Sequence, residues 1–359
     1  MTATRLLPRS YRQARDEFVE AARAAGSRLA THPHPLAGLE GEELAVDVAE
    51  VGPADAAEVV VVVSGTHGVE GYLGSALQRQ HHESLATSGG RTGSPTLVFV
   101  HALNPYGVSW VRRVNEDNVD LNRNFVDWSQ GPRPNAEYRE LADSLVPDDW
   151  SEASQQRTLA ELLAKLEEVG IDRLQQIVSG GQYSHPTGVF YGGSGPVWSH
   201  RWLRGFLTER LASVQRAAIV DLHTGLGPWG FGELISSEDP SSEPYERQRA
   251  WWGDVTSTLD GSSVSADIAG DWLAVAPTFA PEVEVTGIAI EYGTVDSVTV
   301  LQSLRADAVL HAHGDPTGPD ADAVRAQVRA AFIDDDPAWL ATCTDRYRSV
   351  IDAAVDHLT

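Results

Sequence analysis

Two histidines and two glutamates stand where short apolar runs give way to polar or glycine-rich turns. They are His67 and Glu70 in Ser64-Gly65-Thr66-His67-Gly68-Val69-Glu70-Gly71, His223 in Val220-Asp221-Leu222-His223-Thr224-Gly225, and Glu291 in Ala289-Ile290-Glu291-Tyr292-Gly293-Thr294. Imidazole nitrogen and carboxylate oxygen together suit zinc, and three protein ligands with a fourth position for water are the pattern of a catalytic zinc. A His and a Glu three positions apart at a helix entry can turn toward one cation, and His223 is placed to be the third ligand. Asp221, on the same side of its strand, could accept the ring N–H of a ligating histidine. A carboxylate at a strand tip, as Glu291 is, could serve as general base and then proton donor. Each residue also has a plainer reading: His67 as a helix cap, Glu70 in a first turn favoured by the dipole, His223 and Asp221 as structural strand-end residues, Glu291 facing solvent. The coincidence of His67, Glu70 and His223 at equivalent strand ends raises the metal reading.

Charge sharpens the next segment. The chain of 359 residues carries 27 Lys+Arg against 51 Asp+Glu, a net charge of −24, and Lys165 is its only lysine. Nucleic acid is held by clustered cations, so a nucleic-acid partner is excluded, and no patch suits an anionic membrane surface. Against this background Arg112, Arg113 and Arg123, beside Asn104, Asn115, Asn122 and Asn124, suggest an anion site. The guanidinium fork suits a carboxylate or a developing oxyanion. The alternative is a set of surface ion pairs with Glu116, Asp117 and Asp120. Cys343 is the only cysteine, which excludes disulfides within the chain and Cys-rich zinc or iron–sulfur sites.

The elements that must position these residues alternate in kind. Val59–Val63 is a β-branched run that reads as a buried strand, followed by a helical pattern over 69–80. Pro95–His101, Ala217–Leu222 and Gly287–Tyr292 read as further strands. Helices are predicted near 10–27, 157–169, 199–215, 242–256, 295–309, 321–332 and 338–356. The alternation predicts one α/β domain over 1–359 with a largely parallel sheet, and in such sheets ligands bind outside the carboxyl ends of the strands. Gln182–Gly195 reads as a long functional loop. The opening Met1–Pro8 holds no apolar leader, and no run approaches the roughly 20 residues of a membrane span, so a cytoplasmic protein is expected. His311-Ala312-His313 is read as histidines at a helix end that complement its dipole, His81-His82 likewise, and the serine-nucleophile pattern around Ser194 is broken by Pro196.

Taken in order, the His-x-x-Glu after a strand, Asn104-Pro105-Tyr106-Gly107, Arg113-Val114-Asn115, Asp120-Leu121-Asn122-Arg123-Asn124-Phe125, the distant His223 and the later Glu291 resemble the zinc carboxypeptidase superfamily. The same order marks its aspartoacylase and succinylglutamate desuccinylase relatives, and the resemblance covers about residues 59–294. It implies a three-layer α/β sandwich with a mixed, mostly parallel eight-stranded sheet. It implies one zinc on His67, Glu70 and His223, with Glu291 as base. Arg113 would polarise the scissile carbonyl, with Arg112 as the alternative, and Asn122 and Arg123 would hold the substrate's carboxylate. The family's mobile-loop tyrosine has no counterpart in 271–281, which contains Trp272 and Phe279; Tyr183 and Tyr191 are the alternatives. The implied activity is zinc-dependent hydrolysis of an amide in a small substrate, peptide or N-acyl amino acid, that bears a carboxylate. The rival readings are an esterase or deacylase of the aspartoacylase type and a non-catalytic protein that binds peptides or acyl amino acids.

Overall fold

The computed structural model describes residues 7–89 and 93–359. Most of the segment read as lacking a leader, residues 1–6, lies outside the described residues. The strands are β1 (Arg28–Ala37), β2 (Glu43–Val51), β3 (Glu58–Val63), β4 (Thr96–His101), β5 (Arg216–Trp229), β6 (Gly232–Ser236), β7 (Val255–Ser257) and β8 (Glu284–Gly293). The helices are α1 (Tyr11–Ala24), α2 (Gly71–Ser88), α3 (Pro105–Trp110), α4 (Tyr138–Leu145), α5 (Glu152–Val169), α6 (Ile171–Ser179), α7 (Trp198–Arg210), α8 (Glu243–Trp252), α9 (Trp272–Val275), α10 (Ser297–His313), α11 (Ala321–Phe332) and α12 (Pro337–Leu358). The strands form one sheet in the order β1-β2-β4-β3-β5-β8-β6-β7. β4, β3, β5 and β8 run parallel, as do β6 and β7, while β1–β2, β2–β4 and β6–β8 are antiparallel.

The valine run of β3 explains the three layers. Side chains alternate across a strand, so a run apolar at every position must be covered on both faces. Val60 and Val62 join the apolar cluster containing Phe18 of α1, Leu73 and Leu77 of α2 and Ile351 of α12. Val59, Val61 and Val63 join the opposite cluster with Leu203 and Leu207 of α7 and Trp272 of α9. Among the described residues no helix is long and apolar enough to cross a membrane.

The four central strands coincide with those expected. β1, β2, β6 and β7 were not anticipated. β1 carries Pro33 and Pro35 and is mostly exposed, which an edge strand tolerates and a central one does not. The helix expected over 242–256 stops at Trp252, because Gly253 (φ 78°) turns the chain into β7. The pair His81-His82 lies inside α2 rather than at its end, since α2 continues to Ser88. His82 is buried, its Nδ1–H donates to the Gln78 carbonyl at 2.8 Å, and burial brings its pKa down to about 4. His311 and His313 do occupy the last turn of α10.

Candidate active site

Two strand registers assemble the centre. β5 lies between β3 and β8, with Val63 opposite Asp221 and His223 opposite Glu291. The turn after β3 therefore faces Asp221 and His223, and Glu291 stands beside His223 on the neighbouring strand. The turn is locked to the arginine segment: Gly68 N–H donates to the Arg113 carbonyl at 3.0 Å and Val69 N–H to that of Arg112 at 2.8 Å. Gly68 is required for this approach, because a Cβ there would collide with the backbone of Gly107.

His67, Glu70 and His223 are buried and their ligand atoms lie within 4.8 Å of one another. His67 Nδ1 is 3.0 Å from Glu70 Oε1, and His223 Nδ1 is 3.0 Å from Glu70 Oε2. The second nitrogen of each ring also meets a carboxylate, His67 Nε2 at 3.1 Å from Asp120 Oδ1 and His223 Nε2 at 2.6 Å from Asp221 Oδ2. Asp221 is itself held by Thr66 Oγ1–H (2.8 Å) and the Trp272 indole N–H (2.7 Å). A neutral imidazole has one N–H, so with carboxylates at both nitrogens one contact per ring sets lone pair against lone pair. A second proton on each ring would relieve the conflict, and so would a divalent cation held by the Nδ1 atoms and Glu70. The carboxylates at Nε2 are the outer partners that fix ring orientation in metal sites. The charge is compatible: Glu70, Asp120, Asp221 and Glu291, with Asp271 nearby, outnumber the guanidiniums of Arg113 and Arg123, a deficit that a divalent cation would lessen. The donor set therefore fits zinc.

Burial alone would raise Glu70, but His67 and His223 outweigh it and hold the carboxyl below its ordinary range. The same holds for Asp120, kept well below its ordinary value by Arg113, Arg123 and His67 against the push of burial. Glu291 moves the other way. Burial, and then the charge of Glu70, push it up to about 7, and its Oε1 accepts a 2.9 Å bond from Leu226 N–H.

Of the arginines, Arg113 belongs to the centre: Nε donates to Asp120 Oδ2 at 3.0 Å and Nη1 to Glu70 Oε1 at 3.1 Å, leaving Nη2 for a further acceptor. Arg112 does not. It forms a buried pair with Asp307 (2.9 Å), donates to Asn118, and does not line the cleft. Arg112→Ala would leave the Asp307 carboxylate buried with only a 3.6 Å contact to His311, and is expected to destabilise the fold by about 3 kcal/mol, read as a lower urea midpoint. Arg123 Nε and Nη2 donate to the Ser179 carbonyl and Nη1 to that of Asn122. Gly270 (φ 94°) packs on the Arg123 backbone where a Cβ would come within 2.6 Å. Asn122 lines the cleft, and its Oδ1 is buried without a hydrogen-bond partner.

The Gln182–Gly195 loop does reach the site, through a different residue from those expected. Tyr183 donates to the Arg123 carbonyl at 2.7 Å and Tyr191 packs in the core, and neither lines the cleft. Phe190, between them, lies 5.7 Å from the Arg113 guanidinium and 5.5 Å from that of Arg123 and lines the cleft with them. Asp120, Phe190 and Trp272 are thus the site residues that the sequence did not place in the site, Asp120 being read only as a surface ion-pair partner of the arginines. Asp120 had a signal, since it opens the Asp-Leu-Asn-Arg-Asn-Phe motif. Phe190 and Trp272 had none beyond their loops. The cleft, of about 640 Å³, contains His67, His223, Glu291, Arg113, Asn122 and Arg123.

The sequence matches the family described as "Protein of unknown function (DUF2817)" over residues 8–346. No curated protein matches it. Among solved structures, bovine thrombin-activatable fibrinolysis inhibitor in complex with tick carboxypeptidase inhibitor is similar with a TM-score of 0.50, at 11% identity, over 98% of this chain and 97% of that one. Carboxypeptidase A from Helicoverpa armigera gives 0.49 at 12% identity, over 90% of this chain and 74% of that one. An aspartoacylase family protein from Mesorhizobium loti gives 0.37 at 14%, over 74% and 61%. The first of these carries the fold conclusion: the eight-stranded sheet between helices is the carboxypeptidase-like fold that the motif order implied.

Proposed function

We propose that this chain, which belongs to the DUF2817 family, is a zinc-dependent hydrolase that cleaves an amide bond in a small carboxylate-bearing substrate, a short peptide or an N-acyl amino acid. The observation that carries this reading is the register that puts Glu291 beside the His67–Glu70–His223 cradle, in one cleft with Arg113. Zinc held by His67, Glu70 and His223 would supply Lewis acidity and lower the pKa of water. Glu291, as carboxylate, accepts a proton from the attacking water. The hydroxyl adds to the amide carbon, and Arg113 Nη2 donates to the carbonyl oxygen as it becomes anionic. Glu291 then gives its proton to the leaving nitrogen as the C–N bond breaks, so that one water yields a carboxylic acid and an amine. Arg123, anchored on the Ser179 carbonyl, and Asn122 hold the substrate's carboxylate.

Screening N-acyl amino acids and short peptides with the zinc-loaded protein tests the proposal. Hydrolysis of at least one class, lost on chelation, is expected. Zinc-free native protein that binds these ligands without turnover would favour the binding reading instead. The pH profile has a defined sign. Glu291 acts only as carboxylate and is pushed up to about 7 with the cradle empty, and a cation in the cradle favours its charged form. The acidic limb of kcat/KM is therefore expected at or below about pH 7, with activity rising as pH rises through it. Full activity at pH 4 would contradict a titrating base.

A further inference from the structure

One helix lining the cleft leaves two of its leucines exposed while it buries polar side chains. α5 buries Ser154, Thr158 and Lys165, whereas its leucines at 159 and 163 are 51% and 49% exposed. Lys165 is occupied by Glu140 at 3.0 Å and Glu168 at 3.1 Å. A surface helix ordinarily turns its leucines to the core. Here Leu159 and Leu163, with the half-buried Leu162 and Leu166, line the same cleft as Glu291 and Arg113. The apolar wall continues into neighbouring elements, through Ile171 at the start of α6 and Val298 in α10, each 64% exposed. From Leu159 to Leu166 the row is roughly 10 Å long at 1.5 Å per residue. An exposed apolar surface that is continuous with a catalytic cleft marks a ligand.

The chemistry of the wall selects the ligand. It is built from helical side chains, and a helix, unlike a sheet edge, offers no ladder to an extended peptide; only Ile171 and Val298, in the first turns of α6 and α10, bring N–H groups that lie outside the intrahelical pattern. The two side-chain amides of the cleft are each held through one atom, Gln175 donating to the Val264 carbonyl at 3.1 Å and Gln302 accepting from Arg305 at 2.7 Å, and neither belongs to the leucine row. Peptide groups lying against the leucine row would face apolar side chains, at a cost that an aliphatic chain does not incur.

We infer that the substrate is an amino acid N-acylated by a long aliphatic chain, with its carboxylate at Arg123 and Asn122 and its acyl chain along the leucines of α5. This rests on the proposed hydrolase reading. Hydrolysis would transfer the hydroxyl of water to the acyl carbon and a proton to the nitrogen, releasing a fatty acid and a free amino acid.

The test is a series of N-acyl derivatives of one amino acid, from acetyl to dodecanoyl, assayed for hydrolysis and, by calorimetry with the zinc-loaded Glu291→Gln protein, for binding. Each added methylene is expected to raise kcat/KM and affinity about threefold to fourfold until the wall is covered. In Leu159→Ser/Leu163→Ser protein the dodecanoyl-to-acetyl ratio should fall at least tenfold. Acetyl derivatives turned over as well as dodecanoyl ones would overturn the chain inference and leave the hydrolase standing. No turnover of any member, with binding still rising with chain length, would overturn the hydrolase and keep the chain. A preference for apolar peptides over fatty acyl groups would overturn the choice of occupant. So would a dimer, seen by sedimentation, that Leu163→Glu dissociates.

Discussion

Glu291→Gln is expected to lower kcat/KM by about 10²–10⁴-fold at neutral pH while leaving one zinc per chain in place. The substitution preserves shape, and the carbonyl of the new side-chain amide can keep the 2.9 Å bond from Leu226 N–H. What it removes is the capacity to take a proton from water and return it to the leaving nitrogen. Glu291 is not among the cradle atoms, so metal content measured by atomic spectroscopy should not change. Stability should not suffer either. In the metal-free protein the carboxyl is pushed up by burial and by the charge of Glu70, so a neutral amide there removes an unfavourable charge, and the melting temperatures are compared in that state. A fall in turnover with an unchanged or higher melting temperature would separate loss of the base from loss of the fold. Near-normal hydrolysis by this variant would remove Glu291 from the chemistry.

What could be read in advance follows from what is local. The valines of β3, the aliphatic run of β4 and the turn position of His67 follow from short stretches whose pattern admits few readings, whereas His223 and Glu291, expected at strand tips, stand inside β5 and β8, which continue to Trp229 and Gly293. The adjacency of His223 and Glu291 does not follow from such stretches, because it depends on β5 and β8 being neighbours in register. Arg112 and Arg113 are equal in the sequence. Only the fold sends one to Asp307 on α10 and the other to Glu70 and Asp120. Asp120 was in view as a surface partner of the arginines; in the structure it is fully buried and steadies His67. Trp272 stands in the segment searched for a tyrosine, but it lies beneath the site and holds Asp221. α5 is the clearest failure of periodicity. Its leucine spacing is helical as expected, yet Leu159 and Leu163 line the cleft while Ser154, Thr158 and Lys165 are the residues buried, a choice no helical period encodes.

Removing the metal is expected to abolish turnover and lower the melting temperature by roughly 4–8 °C, since a ligand present at 1,000 times its Kd contributes about 4 kcal/mol and the 2–4 °C per kcal/mol of a domain of some 200 residues scales to about 1–2 °C in a chain of 359. The direction follows from the centre itself. Without a cation, Glu70, Asp120, Asp221 and Glu291 share the buried site with two guanidiniums, and each histidine is pressed between carboxylates at both ring nitrogens. The site must then take up protons, and His223 is the group best placed to accept one, since Asp221 and Glu70 raise it well above its ordinary value against the pull of burial. The metal-free protein should therefore lose stability as pH rises through that raised value, whereas the zinc-loaded protein should not, because the cation takes the place of the proton. His67→Ala should reproduce the metal-free melting behaviour and zinc addition should not rescue it. Asp221→Asn keeps all three ligands but alters the partner of His223, which is also the acceptor of Thr66 and Trp272, so it should weaken zinc about 10- to 100-fold without abolishing binding. If chelation left both melting temperature and turnover unchanged, the cradle would be an ion-pair network that stabilises the fold by itself, and the hydrolytic chemistry would have to lie elsewhere in the cleft.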